Sequence, residues 1–463
     1  MKGDTIAAIA TAMTNAGIGI VRISGEESFS VIDRIYRSKR GDKILSKVPS
    51  HTVHYGYIYD EDKMIDEVMV LILKGPNSYT AEDTVEIDCH GGALVTRKVL
   101  ETVIKYGARV AEPGEFTKRA FINGRIDLSQ AESVMDLINA KNDFALESSV
   151  HQLHGDVKNK IEKIRKMIIH EIAFIESALD DPEHISIDGY GKKLKNIIMN
   201  ILFEIKTLLS FSEDGELLKE GINTVIIGKP NAGKSSLMNV LVGKECAIVT
   251  DVEGTTRDVL QQQINLNGIT LNVVDTAGIR ETEDIVEKLG VKKAKEFLLK
   301  SDLIIYIVDA STKLDINDEE IIELLSDKKI IILLNKSDLF QVTSEADIKK
   351  KMSEKKLYCS ILSVSMKDLT GVQELKDMIH SMFLKGSLVF NDEVYITNVR
   401  QKAALQSALK SLELVLDSID NQMPEDFYSI DLMSAYEELG YITGETVGED
   451  LVNEIFSKFC MGK

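Results

Sequence analysis

The chain has 463 residues, of which 44% are apolar and 28% are charged, a composition that excludes global disorder and is typical of folded globular protein. This length is too great for one hydrophobic core and predicts about two to four domains. The 55 basic and 74 acidic residues give a formal net charge of −19, which argues against a chain that binds nucleic acid through its overall charge.

The cysteines and the apolar segments predict a reducing, cytoplasmic setting. The N-terminal apolar run is interrupted by Asp4, Thr5 and Asn15, so no signal peptide is predicted, and no apolar segment is long enough to span a membrane. The cysteines are far apart and form no CxxC pair, which excludes a disulfide scaffold and argues against a zinc site. They are Cys89, Cys246, Cys359 and Cys460.

The first region, residues 1–123, mixes strand and helix patterns and predicts an α+β domain. Its segments GIGIVRIS (17–24) and EVMVLIL (67–73) are apolar and rich in β-branched residues, as buried strands are. Turn residues occur in GPNSYTAED and CHGG.

The second region, residues 124–216, has a helical pattern. Val157, Ile161, Ile164 and Ile168 recur at helical spacing with lysines and an arginine between them, which predicts an amphipathic helix with a basic outer face. We expect this face to be an ordinary solvated helix surface. Residues 158–166 are also a minor local candidate for contact with nucleic acid phosphates.

The third region, residues 217–386, alternates short apolar strands with helical patterns and predicts a buried, mainly parallel sheet. After residue 386 the pattern is helical again, to residue 463. The simplest arrangement packs the two helical parts together, with the α/β domain inserted between them in the sequence. The predicted strands of the third region are 223–228, 269–275, 303–309 and 329–335.

Residues 228–235 (GKPNAGKS) fit the phosphate-loop pattern, with a strand pattern before them and a helical pattern after them. The glycines let backbone N–H groups approach phosphates. Lys234 supplies a positive charge for the β- and γ-phosphates, and Ser235 supplies a hydroxyl for Mg²⁺. This segment predicts a nucleoside triphosphate site.

Residues 335–338 (NKSD) follow a predicted buried strand and resemble the NKxD element of the TRAFAC GTPases. Asp338 would accept the guanine N1–H and 2-amino group, and adenine offers no such pair of donors, so GTP is favoured over ATP. Ser363, Val364 and Ser365 follow the next strand and resemble the SAK-type base loop, from which they depart at the second and third positions.

Two further loops resemble the switches of GTPases. In DVEGTTRD (251–258), Thr256 would complete the Mg²⁺ shell. In DTAG (275–278), Asp275 would hold Mg²⁺ through water and Gly278 would offer its N–H to the γ-phosphate. Position 279 is an isoleucine, which cannot orient the attacking water as the glutamine of Ras-like switches does. A carboxylate is the expected substitute, and spacing alone leaves four candidates open: Glu281, Glu283, Asp284 and Glu287.

Longer motifs occur along the whole chain and resemble the MnmE/TrmE family of tRNA modification GTPases. They are GKPNAGKSS, DVEGTTRDV, DTAGIRETEDIVEKLG, NKSD, GPNSYTAEDTVEIDCHGG, PGEFTKRAFINGRIDLSQAE and the terminal FCMGK. The resemblance implies an α+β N-terminal folate-binding and dimerisation domain (1–123), an all-α helical domain in two parts (124–216 and 387–463), and an inserted Ras-like α/β GTPase domain (217–386) with a mainly parallel sheet.

The resemblance also implies how GTP is hydrolysed. It places the water-positioning carboxylate at Glu287 and replaces an arginine finger with K⁺, held by Asn231, Thr250, Val252 and Thr255 in a loop that closes on dimerisation of the GTPase domains. The implied GTP-binding positions are Asn231, Ala232, Gly233, Lys234, Ser235, Ser236, Thr250, Asp251, Val252, Glu253, Gly254, Thr255, Thr256, Asp275, Thr276, Ala277, Gly278, Asn335, Lys336, Asp338, Ser363, Val364 and Ser365.

A tetrahydrofolate derivative is the second implied cofactor. The matching positions are Arg22, Glu86, Arg125 and the terminal Lys463, and their chemistry suits the glutamate tail and the pterin edge of a folate. Cys460 of FCMGK is a candidate reactive thiol beside lysines, or alternatively a small packing residue.

The implied partners are a second copy of the chain, a flavin-dependent MnmG-type protein, and tRNA reached mainly through that protein. The implied reaction adds an aminomethyl-type group to the 5-position of the wobble uridine. Two alternatives are a regulatory GTPase switch associated with RNA or the ribosome, and a one-carbon transferase with a vestigial GTPase domain. The regulatory switch predicts a basic RNA-binding domain after the GTPase domain, where this chain has an acidic helical segment. The complete set of nucleotide motifs argues against the one-carbon transferase.

Overall fold

The computed structural model describes residues 4–41, 43–186, 189–242, 261–266, 269–275, 297–325, 328–383, 396–445, 447–459 and Gly462. The chain forms two compact units. The first consists of Met1–Ile138, Val150–Leu202 and Ala403–Lys463, and the second of Asn139–Ser149 and Phe203–Lys402.

A seven-stranded sheet forms the N-terminal part of the first unit. Its strands are β1 (Ile6–Ile9), β2 (Ile18–Ser24), β3 (Tyr36–Arg37), β4 (Thr52–Asp60), β5 (Lys63–Leu73), β6 (Thr84–His90) and β7 (Arg109–Val110). They lie in the order β3-β4-β5-β6-β2-β1-β7, and every pair is antiparallel except β1 with β7. Both strands expected in this region, 17–24 and 67–73, are present as β2 and part of β5.

Helices α1 (Ser28–Ile35) and α2 (Ala93–Lys105) cover one face of this sheet. Alternate residues of the strands, such as Ile23 and Ile87, are fully buried against them, because successive side chains of a strand point to opposite faces. A 3₁₀ turn (Leu45–Lys47) and helices α3 (Glu115–Ile122), α4 (Leu128–Ile138), α5 (Asp143–His154), α6 (Asp156–Asp180) and α7 (Tyr190–Glu220) complete the chain up to the second sheet.

The second unit contains a six-stranded sheet of the predicted α/β type. Its strands are β8 (Ile222–Gly228), β9 (Gln261–Leu266), β10 (Ile269–Asp275), β11 (Leu303–Asp309), β12 (Lys329–Asn335) and β13 (Ser360–Ser363), in the order β13-β12-β11-β8-β10-β9. All neighbouring pairs are parallel except β9 with β10. This is the Ras-like arrangement, and the four strands predicted in this region are confirmed.

Helices α8 (Lys234–Val242), α9 (Ile316–Leu324), α10 (Glu345–Glu354) and α11 (Val372–Phe383) belong to the second unit. Its strands are buried on both faces, as parallel strands of α/β proteins are. The strand order reverses at β8, whose neighbours β10 and β11 lie on either side of it. Ligands of open α/β sheets bind in the crevice outside the carboxyl ends of the strands at such a reversal.

The chain ends in helices α12 (Val399–Asp420), α13 (Asp426–Thr443) and α14 (Glu449–Ser457). Within the first unit, α13 packs along α6, so the two helical regions meet as predicted. Arg165 of α6 is buried, donates to the Tyr436 carbonyl at 3.3 Å and pairs with Glu445 at 2.5 Å. The predicted fold class is therefore confirmed, whereas the domain boundaries stay predictions. Among the described residues, no helix combines the length and apolar character needed to cross a membrane.

Candidate functional site

The phosphate loop lies at the carboxyl end of β8, where the strand order reverses. Asn231 has a left-handed backbone (φ 62°), and so does Gly233 (φ 113°). A Cβ atom at position 233 would lie 2.1 Å from Asn335 Nδ2, so both the backbone angle and the space require glycine there. The loop thus passes close against the end of β12.

The last two residues of the loop and the residue after it present cationic and hydroxyl groups. Lys234 Nζ donates to the carbonyls of Gly228 and Lys229, both at 2.8 Å. Ser235 and Ser236 are exposed in the first turn of α8. Because the N-terminus of a helix carries a partial positive charge and free N–H groups, this turn favours a phosphate.

Asn335 connects the phosphate loop to the base loop. It is 3% exposed at the end of β12. Its Nδ2 donates to the Ala232 carbonyl at 2.8 Å, and its Oδ1 accepts from the backbone N–H of Met366 at 3.2 Å. One side chain therefore fixes the distance between the two loops that the sequence predicts to hold the phosphates and the base.

The base loop also orients the carboxylate expected to recognise guanine. Ser365 Oγ donates to Asp338 Oδ1 at 3.0 Å, and the Ser337 N–H donates to the Val364 carbonyl at 3.1 Å. Val364 is fully buried and Ser363 is exposed. The departure from the SAK-type pattern thus leaves a serine hydroxyl in contact with Asp338.

Lys336 is held in place by Asp309 at the end of β11. Its backbone is left-handed (φ 66°), and its Nζ lies 2.6 Å from Asp309 Oδ2. Although burial alone would raise the pKa of Asp309, the hydrogen bonds from Lys336 and Ser311 hold it below its ordinary value. Sequence reasoning missed Asp309. Its position as the last residue of the predicted strand 303–309, next to the strand that leads into NKSD, was the available signal.

Several predicted positions lie outside the described residues. Asp275 is described by its backbone alone, which ends β10 beside β8. The positions outside the described residues are Cys246, Thr250, Asp251, Val252, Glu253, Gly254, Thr255, Thr256, Thr276, Ala277, Gly278, Ile279, Glu281, Glu283, Asp284, Glu287, Cys460 and Lys463.

The described positions predicted to bind folate are Arg22, Glu86 and Arg125, and they converge in the N-terminal part of the first unit. Arg22 on β2 and Glu86 on β6 are directly opposite each other in the antiparallel register, and Arg22 Nε lies 2.7 Å from Glu86 Oε1. Arg22 Nη1 also donates to the Gly462 carbonyl at 3.1 Å. The end of the chain is therefore in contact with the predicted cluster.

Tyr79 joins Arg125 to this cluster. The guanidinium carbon of Arg125 lies 4.6 Å from the centre of the Tyr79 ring, and that of Arg22 lies 5.2 Å from it. Cations are attracted to the faces of aromatic rings at such distances. Sequence reasoning missed Tyr79, although GPNSYTAED was among the family-specific motifs.

Gly462 fits against β1 only because it lacks a side chain. Its backbone is left-handed (φ 88°), and a Cβ atom there would lie 2.3 Å from the Ile9 carbonyl oxygen. Any other residue would displace the segment and break its hydrogen bond with Arg22.

Two of the cysteines, Cys89 and Cys359, lie among the described residues. Cys89 is buried and burial raises the pKa of its thiol; the same cause raises the pKa of Cys359. Among the described residues, no group of three or more His, Cys, Asp or Glu side chains could hold a metal ion. On α6, Lys158 is half-buried and Lys166 is exposed, and their ammonium groups lie 3.9 and 4.0 Å from the Glu162 carboxylate, as expected of a solvated helix face.

Comparison with known proteins decides the family. The profile of the MnmE helical domain matches residues 128–460, and that of the GTP-binding protein TrmE N-terminus matches residues 5–125. The tRNA modification GTPase MnmE of Lachnoclostridium phytofermentans is 58% identical over 100% of both chains. The chain belongs to the MnmE family. The MnmE protein of Clostridioides difficile is 48% identical over 99% of both chains.

Membership in the MnmE family confirms the resemblance read from the motifs. The chain is a GTPase of tRNA modification. Among solved structures, Aquifex aeolicus Era bound to GDP and AlF₄⁻ is 27% identical to this chain. The match covers 42% of this chain and 67% of that chain, and its TM-score of 0.28 is too low to support an argument.

Proposed function

We propose that this chain is the GTP-hydrolysing component of a complex that adds a (carboxymethyl)aminomethyl group to the 5-position of the wobble uridine in certain tRNAs. A flavin-dependent MnmG-type protein would be its partner in the reaction. The observation that carries this proposal is the junction at Asn335, which joins the phosphate loop and the base loop into one site. Family membership supplies the link to tRNA.

GTP would bind across the carboxyl ends of β8 and β12. Asp338, oriented by Ser365, would accept the two guanine donors. Lys234 would move its ammonium group from the loop carbonyls to the β- and γ-phosphates, and the N–H groups at the start of α8 would bind the same phosphates. Glu287 would position the attacking water, in place of the side chain that Ile279 lacks.

Two cations fit the donor groups of this site. Ser235 and Thr256 offer hydroxyl groups to Mg²⁺, and Ser235 is exposed at the start of α8, where a phosphate-bound ion would reach it. The amide oxygen of Asn231, exposed on the loop, together with carbonyls of Thr250, Val252 and Thr255, suits a large monovalent ion such as K⁺. When bound, these ions offset the negative charge that develops on the phosphates.

A tetrahydrofolate derivative would bind at the cluster around Tyr79. Arg125 would pair with its glutamate tail, Glu86 would accept hydrogen bonds from the pterin edge, and Lys463 would add a further cation. The contact between Arg22 and Glu86 supports this assignment, because it holds both groups in fixed positions. When bound, the folate would supply one carbon to the reaction, and Cys460 is the candidate nucleophile beside it.

The chain would act as a homodimer. With a formal charge of −19, it would leave most phosphate contacts with tRNA to the partner protein. Dimerisation of the GTPase domains would close the loop of residues 250–255 over K⁺.

The first experiment measures GTP turnover in K⁺ and in Na⁺ at equal ionic strength. Wild type, Glu287→Ala and the matched control Glu283→Ala are compared, because both substitutions remove one carboxylate from the same segment. We expect fast turnover in K⁺ only, lost in Glu287→Ala and kept in Glu283→Ala. Equal, slow turnover in both salts would refute the K⁺ site and leave a switch that needs an external activator.

A further inference from the structure

A buried polar cluster connects the phosphate loop to the capping box of α9, which consists of Asp315 and Asp318. Lys229 is the second residue of the loop, and its side chain is 14% exposed. Its Nζ lies 2.6 Å from Asp318 Oδ2 and 3.0 Å from Asp315 Oδ2. Asp318 lies in the first turn of α9 and is 1% exposed. The ammonium group of Lys229 is therefore fixed between the loop and the helix.

Asp318 is itself held from two further directions. The hydroxyl of Tyr306, a fully buried residue of β11, donates to Asp318 Oδ1 at 2.8 Å, and the Asp315 N–H donates to Oδ2 at 2.9 Å. Burial alone would lower the pKa of Lys229, but its hydrogen bonds to Asp318 and Asp315 raise it above its ordinary value. The hydrogen bonds thus favour the ammonium form of Lys229 and fix it in one arrangement, as in a fully satisfied buried network.

The same lysine also contacts the phosphate-binding lysine through its main chain. The carbonyl of Lys229 accepts one of the two hydrogen bonds from Lys234 Nζ, and the carbonyl of Gly228 accepts the other. A shift of the Lys229 backbone would therefore move both acceptors of Lys234. The side chain of Lys229 connects this backbone to α9 through Asp315 and Asp318.

We propose that Lys229, Asp318 and Tyr306 form a brace that holds the phosphate loop in its nucleotide-binding geometry. Lys229 is then a positioning residue that acts through Lys234. A loop that is ordered before binding saves the cost of ordering it on binding, so the brace contributes to nucleotide affinity. Once phosphates are bound they hold Lys234 themselves, so the chemical step depends little on the brace.

The test compares GDP affinity and the GTP kinetic constants of full-length variants. Lys229→Met keeps most of the aliphatic stem and removes the ammonium group. We expect the Kd for GDP and the KM for GTP to rise about tenfold or more, while kcat stays within about threefold of wild type. Lys229→Arg keeps a cation in reach of both carboxylates and should restore a large part of the affinity.

Lys351→Met is the matched control. Lys351 lies on α10 and pairs with Glu319, which is also in the first turn of α9. This control therefore removes a lysine–carboxylate pair from the same turn without touching the loop. We expect its Kd, KM and kcat to equal those of wild type.

Two results would overturn the proposal. One is a folded Lys229→Met protein with a lower Tm but wild-type Kd and KM, which would make the cluster purely structural. The other is a fall in kcat at unchanged KM. If Lys229→Met does not fold, Tyr306→Phe removes a single hydrogen bond from Asp318 and keeps the ring. It should raise KM about threefold, and an unchanged KM in that variant would equally overturn the brace.

Discussion

The junction at Asn335 gives the sharpest prediction about the GTP site. The substitution Asn335→Ala would remove both the donor to the Ala232 carbonyl and the acceptor for the Met366 N–H. Ala232 is 1% exposed and Met366 is 7% exposed, so water cannot easily replace the lost partners. Both orphaned groups belong to loops that are predicted to contact the nucleotide.

The expected magnitude follows from the cost of a buried group without a hydrogen bond. Each such group costs about 1–3 kcal/mol, so the two together cost about 2–6 kcal/mol. The loops would relax to satisfy these groups, and GTP binding would have to reverse that relaxation. If about 2 kcal/mol of this cost is subtracted from the free energy of GTP binding, the Kd for GTP rises about thirtyfold.

The assay is a titration with a fluorescent guanine nucleotide. A fluorescence assay suits this chain because the chain contains no tryptophan that would add its own emission. Asn272→Ala is the matched control. It removes an asparagine of the same unit whose Nδ2 donates to the Glu220 carbonyl at 3.0 Å, away from the carboxyl ends of the strands. A folded Asn335→Ala protein that binds GTP as tightly as wild type would refute the reasoning, and so would an equal loss in Asn272→Ala.

Three further predictions concern other charged contacts. Glu86→Gln should weaken tetrahydrofolate binding about tenfold or more, because it removes the charge that pairs with Arg22; unchanged affinity in a calorimetric titration would contradict the assignment. Ser365→Ala should raise the KM for GTP about fivefold through loss of its bond to Asp338, and a KM equal to that of wild type would show that this bond does not matter. Glu115 is 4% exposed; burial alone would raise its pKa, but hydrogen bonds from two arginines and a backbone N–H lower it. Its contribution to stability is therefore present above the unfolded pKa and lost as the pH falls through the folded one. Glu115→Gln should lower the free energy of unfolding by about 3 kcal/mol at pH 7 and by less toward pH 3. Amide exchange of β1 measures this free energy, and a decrease that does not depend on pH would contradict the prediction.

Much of the fold was predictable because it depends on local patterns. The apolar runs at 303–309 and 329–335 coincide with β11 and β12, since a strand buried on both faces must be apolar throughout. The spacing of Val157 and Ile161 predicted α6, because helices bury residues at that interval.

The rest depends on register and on distant contacts. Arg22 and Glu86 were predicted to share a site, but only the pairing of β2 with β6 places them opposite each other. No role in the phosphate loop was predicted for Lys229. Its partner Asp318 lies far along the chain, in the capping box of α9, and a capping box does not show which distant lysine it contacts. Tyr79 and Gly462 meet Arg22 through the packing of loops and of the chain end, which no periodicity encodes.

The pairing of α6 with α13 has a consequence for synthesis on the ribosome. The apolar face of α6 emerges first, and its partner follows only after the whole α/β unit has been made. At usual elongation rates this delay lasts on the order of ten to fifty seconds. During that time Ile161, Ile164 and Ile168, all fully buried in the finished protein, have no helix α13 to cover them. Nascent chains stalled before residue 426 should therefore recruit chaperones. On chains that continue to elongate, the chaperones should dissociate when α13 has been synthesised.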